Sequence, residues 1–154
     1  MQVCDGFSEA IGNTPLIELP RFSPKPGLRI FAKLEGQNPS GSIKDRIVLA
    51  MVEEAEAEGK LEPGDTIVEA SSGNTAIALA TLGVIMDFPV RVFISEEVTA
   101  ERRQILASFG AKIVLPPAIE HTRGARERAI AYCEASPDTT FFMNQHGNPD
   151  NPRA

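Results

Sequence analysis

From residue 66 onward the chain alternates short runs of β-branched and aromatic residues with longer stretches of helical periodicity. The segments "TIVEA" (66–70), "VRVFI" (90–94), "KIVL" (112–115) and "TTFFM" (139–143) have the length and composition of strands. Between them the spacing predicts helices over 74–86, 99–108 and 122–134. Strands alternating with helices of that length are the signature of β-α-β units. The expected fold is therefore α/β, a parallel sheet of about four strands flanked by helices, with each crossover right-handed. Stop signals fall where this arrangement needs them: Gly59 and Pro63-Gly64 after "IVLAMVEEAEAEG", Phe88-Pro89 ahead of a strand, and Phe109-Gly110 at the end of a helix. Upstream, "TPLIELP" and "LRIFAKL" read as two strands joined by the proline-rich turn "RFSPKPG". There is no internal repeat and no low-complexity tract.

Composition narrows the class of partner. With 154 residues, 42% of them hydrophobic and 23% charged, the chain is long enough to bury one core. A formal net charge of -6 argues against a sequence-independent grip on nucleic acid, which needs clustered Lys and Arg. Small molecules are the expected partners. The start "MQVCDGFSEAIG" does not read as a secretory signal, and the longest apolar stretch, "AIALATLGVIM" (76–86), falls well short of the ~20 residues that span a bilayer. A soluble, cytoplasmic protein with no membrane partner is expected. Cys4 and Cys133 have no Cys or His at zinc-ligand spacing, so two reduced thiols are expected, with neither a disulfide framework nor a metal. The turn-rich "NQHGNPDNPRA" is followed by no helix or strand, and the chain reads as interrupted there.

Three stretches carry candidate chemistry. "NPSGSIKDRIVLA" (38–50) sets Lys44 where a loop becomes a helix, at the positive end of the helix dipole, which disfavours a cation. Partial burial there would lower the lysine pKa, and a neutral amine attacks carbonyls. The plainer alternative is a solvated first turn in which Lys44 lies beside Asp45. "EASSGNTAIALA" (69–80) follows a strand with Ser71, Ser72, Gly73, Asn74 and Thr75 before an apolar helix. That order makes an anion site at the carboxyl end of a parallel strand, although ordinary capping by Ser72 or Asn74 explains part of it. "NQHGNPDNP" (144–152) follows another strand, and Gln145 there offers an amide donor to the same ligand. A solvated turn is the simpler account of this segment, with His146 a surface residue.

Taken together with "IGNTPLIEL" (11–19), "AKLEGQNPSGSIKDR" (32–46), "GDTIVEASSGNTAIALA" (64–80) and "ERRQILASFGAKIVL" (101–115), these stretches run in order over essentially the whole chain. The sequence resembles the cysteine synthases, or O-acetylserine sulfhydrylases, of the fold-type II pyridoxal-phosphate enzymes. The resemblance implies that Lys44 is the Schiff-base lysine that holds pyridoxal 5'-phosphate and serves as base for the α-proton. It implies that Asn74 binds the cofactor and that Ser71, Ser72, Gly73, Thr75 and Gln145 bind the amino-acid substrate, its α-carboxylate in particular. The implied reaction is β-replacement, in which sulfide displaces the β-substituent of O-acetylserine or O-phosphoserine to give L-cysteine. Cystathionine β-synthase-like chemistry, or a non-catalytic fragment that keeps the fold, are the alternatives.

The resemblance also implies the small N-terminal domain of that fold, with residues 36–154 carrying the lysine and the substrate loop. Residues 1–35 are expected to pack on a larger second domain, absent here along with its glycine-rich phosphate cup, and the complete enzyme is expected to be a homodimer. Departures from the family pattern are Ala76 for a glycine, Ser71 for a threonine, His146 for an aromatic, and "FISEE" (93–97) without its proline. The "ERRQ" and "GNPDNP" stretches are similar to phosphoserine-using relatives as much as to acetylserine-using ones.

Overall fold

A computed structural model describes residues 3–154. Two short strands come first, β1 (Leu16–Glu18) and β2 (Phe31–Lys33), paired antiparallel with Ile17 opposite Ala32. Helix α1 (Lys44–Ala57) follows. The alternating part then runs β3 (Thr66–Glu69), α2 (Asn74–Ile85), β4 (Val90–Phe93), α3 (Ala100–Ser108), β5 (Lys112–Val114), α4 (His121–Glu134) and β6 (Thr140–Phe142). The last four strands form one parallel sheet in the order β5-β4-β3-β6. The α/β architecture and the four-stranded parallel sheet expected from sequence are both present. Of the expected N-terminal segment, Met1 and Gln2 lie outside the described residues.

From β3 onward, strand and helix ends differ from the expected spans by about a residue, for local reasons, while β1 and β2 are shorter than the expected runs by two or three residues at an end. Ala70 leaves β3 to begin the loop, and Thr139 belongs to a short 3-10 turn ahead of β6. Thr99 caps α3 instead of starting it: its backbone is extended (ψ 148°) and its hydroxyl accepts the Arg102 amide. Gly59 (φ 69°) and Gly110 (φ 76°) turn the chain out of α1 and α3 in the left-handed region that favours glycine.

The sheet is buried on both faces, which is why its strands read as near-continuous apolar runs. On one face Ile67, Val90 and Val92 join Val48, Met51 and Val52 of α1, Ala76, Ala78 and Leu79 of α2, and Leu106 of α3. On the other, Val68 and Phe93 meet Ala125 and Ala129 of α4. Helix α2 is apolar nearly all round and buried over most of its length, as such a helix must be. Its small residues allow close approach to the sheet. A Cβ on Gly83 would stand 2.3 Å from Cγ2 of Val90 and 2.9 Å from the Phe88 carbonyl. Ala76, the departure from glycine, is fully buried in the main core, so its methyl packs inward. Among the described residues no helix is long and apolar enough to cross a membrane.

Candidate active site

Both candidate stretches that end in a helix start lie at one edge of the sheet. Glu56 in the last turn of α1 and Ala80, Gly83 and Val84 of α2 share a cleft with Pro63-Gly64, Pro89-Val90 and Phe109-Gly110, the residues that enter β3, β4 and β5. The carboxyl ends of α1 and α2 therefore sit at the amino edge of the sheet, and the two helices pack against each other. Their first residues, Lys44 and Asn74, lie at the carboxyl edge. Ala70 after β3 and Gln145 beyond β6 are there too, where open α/β sheets bind ligands.

The loop after β3 is built to leave a helix end open. Capping by Ser72 or Asn74 does not occur: the N-cap of α2 is Gly73, extended, with no side-chain acceptor. The amides of Asn74 and Thr75 donate to no described residue, and nothing lies within 4 Å of where a Gly73 Cβ would be. Ser71 and Ser72 are half-buried and Asn74 is exposed. Ser71 accepts the Gly73 amide at 3.4 Å, and Arg102 of α3 donates to the Ser72 carbonyl at 3.1 Å. Thr75 is buried, and its hydroxyl donates to Oε1 of Gln145 at 2.6 Å, joining residues 70 positions apart. Gln145 is 7% exposed and its backbone amide donates to Oε2 of Glu69 at 3.0 Å, while the Ala70 amide donates to Oε1 at 2.8 Å. Burial pushes the Glu69 carboxyl above the usual carboxylate range, against the opposing pull of those two amides and, more weakly, of His146 and Arg126. His146 itself is exposed.

At the start of α1 Lys44 is half-buried and does not pair with Asp45. Asp45 is buried and its carboxylate accepts the Ser40 amide at 2.7 Å and the Ser40 hydroxyl. The Lys44 backbone amide reaches the Ser42 hydroxyl at 3.2 Å, and among the described residues its side-chain amine has no hydrogen bond and no ion pair. Arg46, two residues further on, is fully committed elsewhere. It forms a forked pair with Glu35 at 2.8 and 3.0 Å, and Glu35 also accepts from Thr14 at 2.6 Å and from Asn38 at 2.8 Å. The Arg46 guanidinium, with the Thr14 hydroxyl next, holds the Glu35 carboxyl well below the usual carboxylate range. Lys33 donates to the Thr14 carbonyl, and the Gly12 amide donates to Asn38. This network ties the segment around β1 and β2 to the start of α1.

The fold is an α/β parallel sheet with a helix start that lacks a side-chain cap and a lysine without a described partner at its carboxyl edge. Residues 7–154 match the family model described as pyridoxal-phosphate dependent enzyme, and the chain belongs to that family. It is 41% identical over 148 residues to cysteine synthase B of Salmonella typhimurium, covering 96% of this chain and 48% of that protein. It is 42% identical to a cysteine synthase of Staphylococcus aureus, covering 96% of this chain and 47% of that one. The crystal structure of an O-ureido-L-serine synthase superimposes with a TM-score of 0.92 at 36% identity, over 99% of this chain and 47% of its own. A cysteine synthase from Entamoeba histolytica gives 0.91 at 37% identity, over 97% and 45%. The chain spans about half the length of the curated relatives it matches.

The residues present fit pyridoxal phosphate, the cofactor of the family. A primary amine without a partner suits its aldehyde, the exposed amide of Asn74 suits its ring oxygen, and the open amides at the start of α2 suit an anion. The structure joins Thr75 to Gln145 directly and sets Ser71, Ser72 and Gly73 in the same loop. It also reveals two groups that reading the chain left without a role. Glu69 was signalled by a charge at the end of an apolar strand. Arg102 was signalled only by its place in "ERRQ".

Proposed function

We propose that this chain forms the lysine-bearing, substrate-gripping part of a pyridoxal phosphate-dependent enzyme that makes L-cysteine by β-replacement on O-acetylserine or O-phosphoserine with sulfide. The observation that carries the reading is the Lys44 amine, unpaired at the first residue of α1, at the sheet edge where α2 opens without a cap. Both the resemblance in motif order and the cysteine synthases among the relatives support it.

When bound, pyridoxal phosphate supplies an electron sink for negative charge at the amino-acid α-carbon. Lys44 would hold the cofactor through Nζ, and that nitrogen would serve as the base that takes the α-proton. Its place at the first residue of α1 and the diversion of Asp45 to Ser40 leave that amine without an ion-pair partner among the described residues. Asn74 orients the cofactor ring through its side-chain amide. The amides and hydroxyls of loop 71–75, with Gln145, receive the α-carboxylate, and closure of that loop excludes water and orients the α-proton.

The 1–35 segment serves, in this reading, to pack on the rest of the enzyme, which acts as a homodimer in the cytoplasm. Leu16 (60% exposed), Phe22 (71%) and Phe31 are far more open than core residues of their type. The assembled enzyme given O-acetyl-L-serine and sulfide is expected to release L-cysteine. Product formation with homocysteine but not with sulfide would assign it to cystathionine synthesis instead.

A further inference from the structure

Glu69 is a carboxylate at the end of a buried strand, 2% exposed, and no step of the proposed chemistry uses it. A buried charge of this kind is costly unless something requires it. Its two oxygens diverge to two backbone amides from distant parts of the chain. Oε1 accepts from Ala70, the residue that opens the substrate loop, and Oε2 accepts from Gln145. The circuit closes through the Thr75 hydroxyl on Oε1 of Gln145. Thus loop 71–75 and Gln145 are joined at both ends, by a carboxylate below and a hydroxyl-amide bond above. We propose that Glu69 is a positioning residue that sets the spacing between the two halves of the carboxylate grip. This rests on the functional reading above.

A carboxylate offers each of the two amides an acceptor oxygen. A side-chain amide of the same size offers one acceptor and one donor, and the donor would face a backbone N–H that also donates. The charged and titratable groups that act on Glu69 are Arg126 of α4, which also donates to the Asn144 side chain at 3.1 Å, and His146 beyond Gln145. Both are exposed and both favour the ionised form.

The test uses the full chain, isotope-labelled, followed by amide NMR from mildly alkaline into acidic solution. The Ala70 and Gln145 amide protons, 75 positions apart in sequence, are expected to titrate together with one midpoint, and to lose that titration in Glu69→Gln. Binding of L-serine to the assembled, pyridoxal phosphate-loaded enzyme is expected to weaken about tenfold in Glu69→Gln, as for one lost hydrogen bond to a charged group, with cofactor affinity unchanged. Separate midpoints, or no titration of either amide, would overturn the proposal from the wild-type chain alone, whether or not the variant folds. Equal serine affinity in the two enzymes would overturn the positioning role while leaving the strut. Failure of the wild-type enzyme to bind serine, with the shared titration intact, would instead overturn the functional reading and leave Glu69 a strut of the fold.

Discussion

Thr75 and Gln145 depend on one another: each is nearly sealed from water and each satisfies the other at 2.6 Å. Thr75→Val keeps the shape but leaves the Gln145 oxygen buried without a donor, a loss of about 1–3 kcal/mol. Thr75→Ser restores the hydroxyl and is expected to unfold in urea close to wild type, with Thr75→Val unfolding earlier; equal midpoints for all three would show that the bond adds nothing. Gln145→Ala and Ser72→Ala are expected to weaken amino-acid binding in the assembled enzyme by about 1.5–3 kcal/mol, one to two decades, with cofactor binding nearly intact. Parallel loss of cofactor and amino acid would mean that these residues hold the fold and not the ligand.

At the scale of elements, the contact of α2 with β4 and the anchoring of the β1-β2 segment are each open to a direct probe. Gly83→Ala forces a methyl into Val90 and the Phe88 carbonyl, so overpacking is expected to cost about 1–3 kcal/mol in thermal or urea unfolding, although alanine is the better helix former. The Glu35 network gives a pH signature. Because the Arg46 pair lowers the Glu35 pKa in the folded state, its stabilising contribution is present above the ordinary glutamate pKa and is lost as pH falls through the folded value. Glu35→Gln is therefore expected to lower the urea midpoint at neutral pH, with the gap closing only in strong acid; a gap that does not change with pH would remove the ion pair from the account. The raised pKa of Glu69 has the opposite sign, its contribution being present in acid and lost as pH rises through the folded value.

Elements were legible because glycines, prolines and apolar runs punctuate the chain locally. Gly59, Gly110 and Phe88-Pro89 all mark real ends. The contacts within the site were not, because they join residues far apart in sequence and no periodicity reports them. Glu35 meets Arg46 across 11 positions and Thr14 across 21, and Thr75 meets Gln145 across 70. The open start of α2 was legible only as a choice between a capped helix and an anion site. The structure decides against the side-chain cap, because the extended Gly73 stands at the N-cap position.

For the whole molecule the relatives are about twice as long, and the described residues place Lys44, Asn74 and the loop after β3 at one sheet edge. Residues 1–154 by themselves are expected to bind pyridoxal phosphate weakly, to turn over O-acetylserine little and, with Leu16, Phe22 and Phe31 open to solvent, to self-associate. Cofactor titration, light scattering and cysteine production check this together. Tight stoichiometric binding with steady turnover would mean that residues 1–154 complete the site without the remainder of the family fold. The central claim is that Lys44 is the cofactor lysine. Its most direct test is borohydride reduction of the assembled enzyme in the presence of pyridoxal phosphate, followed by peptide mapping. Label on Lys44, abolished in Lys44→Ala, is the expected result; label on Lys33 or Lys60 with Lys44 untouched would contradict it.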